Sequence, residues 1–275
     1  MRKQTGADAM NGKKINLKRL ADDAAFIRQF AVDDFRTKYA GSALGGLWAF
    51  LQPIITIILY WFVFQLGFKS QPVADFPFIL WLMIGLIPWF FISDAIVNAT
   101  ACLMDYSYLV KKILFNINIL PLAKVLSTFF VQIVLILFAL ICFAIGGHPP
   151  GAGCLQVLIY LLYMFLLAVG ISYTTATLYV FFKDTIQIIS IVIQAVFWLT
   201  PIVWDINTMP GPVQRALKFN PIYYCINGFR SAFIEKGWNH PGIGMTIYYW
   251  IFCLLVLLFG VRLFGRCKNH FADVL

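Results

Sequence analysis

Charged side chains are what this sequence has least of: Asp, Glu, Lys and Arg make up 12% of its 275 residues, about half the share of an ordinary soluble domain. A helix bathed in water needs a polar face, so the shortage excludes a water-soluble globule. Acids are the scarcer sign, 12 against 21 Lys and Arg, and Asp94 is the one carboxylate well inside an apolar run. Hydrolysis and group transfer need a nucleophile or an acid–base pair within mutual reach, and the apolar runs offer neither. No catalytic residue is therefore expected. No G-x-x-x-x-G-K-[ST] phosphate loop occurs, so the chain is not expected to hydrolyse ATP itself. The six cysteines follow no metal or redox spacing, and His148, His240 and His270 have no second ligand at helical spacing, so no metal is expected. Only Cys154 and Cys225 fall where an oxidising compartment would let them meet. Met1–Arg19 is polar and lacks the apolar core of a secretory signal, so no cleaved leader is expected.

What is present is apolar length. Six runs, Leu44–Leu66, Pro77–Ala101, Pro121–Gly146, Leu155–Phe182, Thr185–Trp204 and Ile243–Phe264, each approach the ~20 residues that cross a bilayer as a helix. The expected fold is an all-α membrane protein with six transmembrane helices. A polar basic tail (residues 1–19) precedes a single membrane domain (20–265), and a short tail (266–275) follows. The formal charge of +9 is distributed unevenly. All the basic residues from Arg2 to Lys38, then Lys111, Lys112, Lys124, Lys183, Arg262, Arg266 and Lys268, fall on one side; Lys69, Arg215, Lys218, Arg230 and Lys236 fall on the other. Basic loops stay cytoplasmic, so both termini are expected on the cytoplasmic side of the membrane. Nucleic acid is not expected as a partner, because the basic residues do not share one exposed domain.

Between the runs the pattern is equally specific. Leu20, Ala24, Ile27, Ala31 and Phe35 recur at helical spacing, predicting an amphipathic helix over 20–39 that lies in the interface with its apolar face toward lipid. Leu103, Tyr106, Val110 and Ile113 form a second stripe, predicting an inner helix within 101–114. Pro53 is expected to kink the first span. Ala168, Ser172 and Ala176 predict a close helix–helix seam. Asp205–His240 is too apolar for a loop and too interrupted to span twice. With Asn220 as a cap and Pro221 at the first helical position, it predicts two re-entrant helices, Pro212–Phe219 and Pro221–Ile234. Asp94 is open between a structural hydrogen bond and a role in a transport path.

The order of several short motifs adds a resemblance. Asp34-Phe-Arg-Thr-Lys-Tyr39, Leu44-Gly-Gly-Leu-Trp48-Ala-Phe-Leu-Gln-Pro53, Gly85-Leu-Ile-Pro-Trp89-Phe-Phe, Val110-Lys-Lys-Ile-Leu-Phe115, Lys183-Asp184, Thr200-Pro-Ile-Val203 and Asn220-Pro221 together resemble the ABC-2 type permeases that export cell-surface polysaccharides. Tyr60–Ser70 and His270–Leu275 are similar to the wall teichoic acid branch of that family, whereas Asn116 stands where many relatives have proline. The resemblance implies a homodimer with two separate ATP-binding cassette ATPase subunits, which bind the ATP and Mg that this chain does not. It implies an undecaprenyl-diphosphate-linked polymer as cargo, wall teichoic acid first and O-antigen or capsular polysaccharide as the alternative. It also implies that the inner helices rest on the ATPase and that the re-entrant helices cover the exit. On that reading Arg28, Asp34, Arg36, Lys38, Asp105, Lys111, Lys112, Lys183 and Asp184 are the coupling residues. Tyr39, Trp48, Phe50, Trp89, Phe90, Asp94, Phe197 and Trp198 are candidates for the path, and Tyr223, Tyr224, Arg230 and Glu235 for an outer gate. A membrane-embedded transferase acting on lipid-linked sugar and an ion-driven transporter are the readings from other classes; the lack of intramembrane charge pairs counts against both.

Overall fold

Lipid supplies no hydrogen bonds to a backbone, so apolar runs of this length must satisfy their own amides as helices. The computed structural model describes residues 17–69, 76–111, 116–235 and 242–275, with side chains from Ala24 onward. The basic tail before Leu17, Ser70, Lys112, Ile113, Lys236 and His240 lie outside the described residues. The helices are α1 (Leu17–Lys38), α2 (Trp48–Trp61), α3 (Phe78–Asp105), α4 (Ser107–Val110), α5 (Ile119–Ile145), α6 (Val157–Phe181), α7 (Thr185–Leu199), α8 (Gly211–Lys218), α9 (Pro221–Ile234), α10 (Ile243–Cys267) and α11 (Phe271–Val274). With their short flanking turns, α2, α3, α5, α6 and α10 are long and apolar enough to cross a membrane, and α7 is a shorter apolar helix. The chain is thus an all-helical membrane protein.

α3 is the axis of the bundle. Of its apolar stretch 78% is buried inside the chain, against 11% for α2 and its flanks. It packs on α5, α6, α7, α9 and α2. A hydrogen bond of 2.7 Å between the Thr100 and Thr175 hydroxyls ties it to α6, and the Tyr173 hydroxyl donates to the Asn118 carbonyl at 2.5 Å, tying α6 to the start of α5. The closest approach is between α6 and α10. A Cβ on Gly170 would lie 2.7 Å from the Leu257 backbone, and one on Gly260 would strike the Gly170 carbonyl. Ala168, Ser172 and Ala176 are fully buried, as the spacing of small residues requires.

Three expectations need correction. α7 does not run to Trp204: its helix ends at Leu199, and Thr200 is extended at φ −96°, ψ 134°. Pro201 has no amide to donate and disfavours helix in the residue before it. Fifteen helical residues rise only about 22 Å, short of the ~30 Å hydrocarbon core. The inner helix expected within 101–114 is instead the uninterrupted end of α3, a break at Tyr106 and the single turn of α4. Pro53 lies inside α2, which continues past it to Trp61 before the backbone widens at Phe62–Gly67. Finally, α1 turns its apolar face to protein rather than lipid: Ala31 is fully buried against Ile119 and Ala123, with Ile27, Phe30, Leu126 and Phe130 around them.

The re-entrant pair is present, each end within a residue of expectation. The Asn220 side chain accepts from the Ile222 amide at 2.9 Å and donates to the Thr200 hydroxyl at 2.8 Å, so one residue caps α9 and fastens it to the end of α7. The Tyr248 and Tyr249 hydroxyls donate to the Phe219 and Lys218 carbonyls, holding the α8–α9 corner on α10. From Tyr224 to Phe233 only Asn227 escapes burial, so the irregular backbone here is enclosed by protein. Cys154 and Cys225 are both free thiols.

Candidate functional site

At the inner end, α1 is held by a charge cluster. Asp34 follows Ala31 by three residues and so shares its buried face; it is 6% exposed. Lys124 of α5 places Nζ 2.7 Å from Asp34 Oδ1 and 3.6 Å from Asp105 Oδ2 at the end of α3. Lys124 is 13% exposed and Asp105 51%, so the Asp34 contact dominates: the more exposed carboxylate is screened by solvent. The Tyr106 hydroxyl donates to Asp34 Oδ1 at 2.7 Å. Its ring lies 5.0 Å below Lys124 Nζ and meets Phe30 edge-on at 5.1 Å. Burial, and then the bond to Asp34, raise the Tyr106 pKa above the usual phenol range, so the hydroxyl stays protonated and keeps donating. Asp34, Tyr106 and Lys124 thereby join α1, α3, α4 and α5 into one unit.

Asp34, expected among the coupling residues, is thus buried in this cluster. Arg28, Arg36, Lys38, Asp105, Lys111, Lys183 and Asp184 are exposed. Lys112 lies outside the described residues. Lys124 and Tyr106 escaped sequence reasoning as site residues, although a lysine three residues after Pro121 in an apolar run was the available signal.

Above the cluster, α3 has one open face. From Leu80 to Thr100 only Phe90, Ser93, Asp94, Val97 and Asn98 escape burial, and Asp94 is exposed. Lys38 Nζ reaches Asn98 Oδ1 at 3.5 Å. Tyr39 is half-buried beside them, its pKa raised by burial and then by the negative charge of Asp94. A small cavity of about 30 Å³ lies among Asp34, Lys38, Tyr39, Asp94, Asn98 and Lys124. Tyr39 and Asp94 are thus brought together, with Lys38 alongside.

The aromatic candidates divide in two. Phe197 of α7 stacks on Tyr60 of α2 at 5.7 Å, meets Trp89 of α3 at 5.4 Å and touches Trp198 at 5.2 Å. Trp89 and Phe197 are buried in this contact and join three helices. Trp48 and Trp198 are exposed, and Phe50 and Phe90 half-buried.

At the outer end, Arg230 of α9 forms a second fastening. It is buried, and its two terminal nitrogens donate to the carbonyls of Pro201 at 2.6 Å and Ile202 at 2.5 Å. Those carbonyls follow the C-terminus of α7, where the helix dipole is negative and a cation is favoured. The guanidinium lies 3.5 Å from the centre of the Trp81 ring, within cation–π range. It also presses on Gly85, where a Cβ would come within 2.6 Å of Nη2. The expected gate residues therefore separate. Arg230 is a clasp between α9, the break after α7 and α3. Tyr224 is buried in a nest with Tyr160, Tyr163 and Tyr249. Tyr223 and Glu235 line a cavity beside Arg230. Trp81 and Gly85 were missed as site residues; the glycine inside an apolar run signalled a close approach without naming its partner.

Residues 27–234 match the family model of the ABC-2 type transporter. The O-antigen export system permease protein RfbA of Klebsiella pneumoniae is 26% identical over 244 residues, 88% of this chain and 92% of that protein. RfbA of Myxococcus xanthus is 24% identical over 204 residues, 74% of this chain and 77% of that protein. The polysialic acid transport protein KpsM of Escherichia coli is 24% identical over 249 residues, 88% of this chain and 91% of that protein.

Proposed function

Because the chain belongs to the ABC-2 type transporter family, we propose that it is the membrane permease of an exporter that carries a lipid-linked cell-surface polysaccharide outward. A separate ATPase subunit supplies the energy. The observation that carries the reading is the near full-length likeness to permeases named for O-antigen export and polysialic acid transport. These relatives favour an O-antigen or capsular type of polymer. Wall teichoic acid is kept as a second reading on Tyr60–Ser70 and His270–Leu275, the latter beyond the matched residues.

The complex consists of two copies of this chain and two ATPase subunits, which hold ATP and Mg. Both termini face the cytosol. The polymer travels on an undecaprenyl diphosphate anchor. Closure of the ATPase pair pushes on the exposed charges of α1 and on the turns at Lys111 and Lys183–Asp184. The Asp34–Lys124–Tyr106 cluster passes that push to α3 and α5 as one body. α3 is a continuous helix of 28 residues, about 42 Å long, and near its other end it carries the Arg230 clasp. Movement at the inner face is thereby delivered to the re-entrant cap. The open face of α3 with Phe90, Asp94 and Asn98, together with Tyr39, Trp48, Phe50 and Trp198, borders the path, and no step makes or breaks a covalent bond in this chain.

Removal of the chain from its host tests this. Surface polymer should fall at least tenfold while lipid-linked polymer accumulates inside, and re-expression should reverse both. Unchanged surface polymer sinks the exporter reading. The phosphate-to-sugar ratio of the lost polymer separates teichoic acid from polysaccharide, and turnover of lipid-linked sugar by the purified chain without ATPase would favour a transferase instead.

A further inference from the structure

Beside the Arg230 clasp lies a cavity of about 160 Å³, walled by α9, by the Asp205–Asn207 turn and by the outer end of α3. Tyr223, Asn227 and Ser231 border it, four residues apart and so stacked along one face of α9. Ser231 is 8% exposed. Tyr223 and Asn227 are half-buried, and Arg230 Nε beside them is a buried donor with no hydrogen-bond partner among the described residues. A buried donor without a partner is costly, so the orphaned Nε beside this row of polar groups indicates a site where something else completes the bonds.

The charged groups in the wall, Arg230, Asp205 and Glu235, each have partners. Arg230 donates both terminal nitrogens to backbone carbonyls. The Asp205 carboxylate accepts from the Asn207 backbone and side-chain amides, each at 3.0 Å. What remains available are Arg230 Nε, the Tyr223 phenol, the Asn227 amide and the Ser231 hydroxyl, and with two carboxylates to one guanidinium in the wall they match hydroxyl groups better than an anion. The volume is about five times the ~30 Å³ share of one water, room for a single pyranose ring with its hydroxyls.

We propose that this cavity is a binding subsite for one neutral, hydroxyl-rich sugar unit, with Tyr223, Asn227 and Ser231 as its hydrogen-bonding rail. The assignment rests on the polysaccharide reading above and adds the site and chemical class of the recognised unit. It also gives the re-entrant helix a part in handling cargo as well as in closing the exit.

Saturation-transfer NMR on the permease–ATPase complex in lipid nanodiscs tests it. The probes are the methyl glycosides of glucose, mannose and N-acetylglucosamine, with N-acetylneuraminic acid as the anionic counterpart. At least one neutral probe should receive saturation. That signal should fall at least fivefold in Asn227→Leu/Ser231→Val and at least twofold in Ser231→Ala, which removes one hydroxyl and disturbs the packing least. Silence from all three neutral probes, a response to the anion alone, or equal signals in wild type and Ser231→Ala overturns the proposal. Surface polymer measured in the same strains separates the two readings. Normal export with variant-independent signals removes the subsite alone, whereas a chain that exports nothing yet binds sugar through Ser231 removes the polysaccharide reading alone.

Discussion

Lys124 serves two carboxylates unequally, and that inequality orders the effects of substitution. Lys124→Met leaves the Asp34 side chain, 6% exposed, without its ion-pair partner, which costs about 3–5 kcal/mol. Asp34→Asn costs less, because Lys124 keeps Asp105 at 3.6 Å. Thermal unfolding in nanodiscs should rank Lys124→Met as clearly the more damaging; equal losses would mean that the cluster does not hold α1. At the outer clasp, Gly85→Ala places a methyl 2.6 Å from Arg230 Nη2, an overpacking that costs about 1–3 kcal/mol. Arg230→Lys should not relieve it, since an ammonium cannot fork to the Pro201 and Ile202 carbonyls. Export by Gly85→Ala at wild-type level, with unchanged unfolding temperature, would remove the clasp. At this scale the sequence was only partly legible. Asp34 read as a coupling charge with no partner named, because its cation lies 90 residues further along the chain, and local periodicity carries no trace of such a partner. Arg230 was singled out, but Gly85 and Trp81 gave no sign that they receive it.

Helices and their pairings were more legible, because hydropathy and capping are local. Asn220-Pro221 announced the start of α9, and Pro201 gave α7 a stop that apolar length alone overrode in the reading of Thr185–Trp204. The seam of Ala168, Ser172 and Ala176 is fully buried, yet the tightest approach on α6 is at Gly170, two residues from Ala168 and so on a different face of the helix. Small residues mark a close-packed side, whereas the crossing point depends on the partner helix. Gly170→Val should therefore separate α6 from α10, since its Cβ would stand 2.7 Å from the Leu257 backbone, which has no side chain to turn away. Size-exclusion profiles of detergent extracts should show at least a threefold loss of monodisperse protein. Ala168→Gly, on the same helix, should leave the profile nearly unchanged. The amphipathic stripe of α1 was read correctly and its neighbour wrongly, because lipid and an apolar helix face look alike from the sequence.

For the whole molecule, the uneven distribution of Lys and Arg sets the expected orientation. Single cysteines tested in intact cells should react with a membrane-impermeant maleimide at Gln214, and at Lys183 only after permeabilisation; the reverse pattern would turn the bundle over. The six apolar runs announced the architecture, and among the described residues five helices are long and apolar enough to cross, with a shorter sixth leading into the cap. What no run of letters displays is how unevenly the chain encloses its own helices. α2 touches the rest chiefly through Ala49, Pro53, Ile57 and Tyr60, while Ile55, Ile58, Leu59, Phe62 and Val63 point outward. An element retained so lightly depends on its surroundings for its footing. Delipidating solvents should loosen it before any other span, so preparations stripped of annular lipid will fail first at the N-terminal third of the chain.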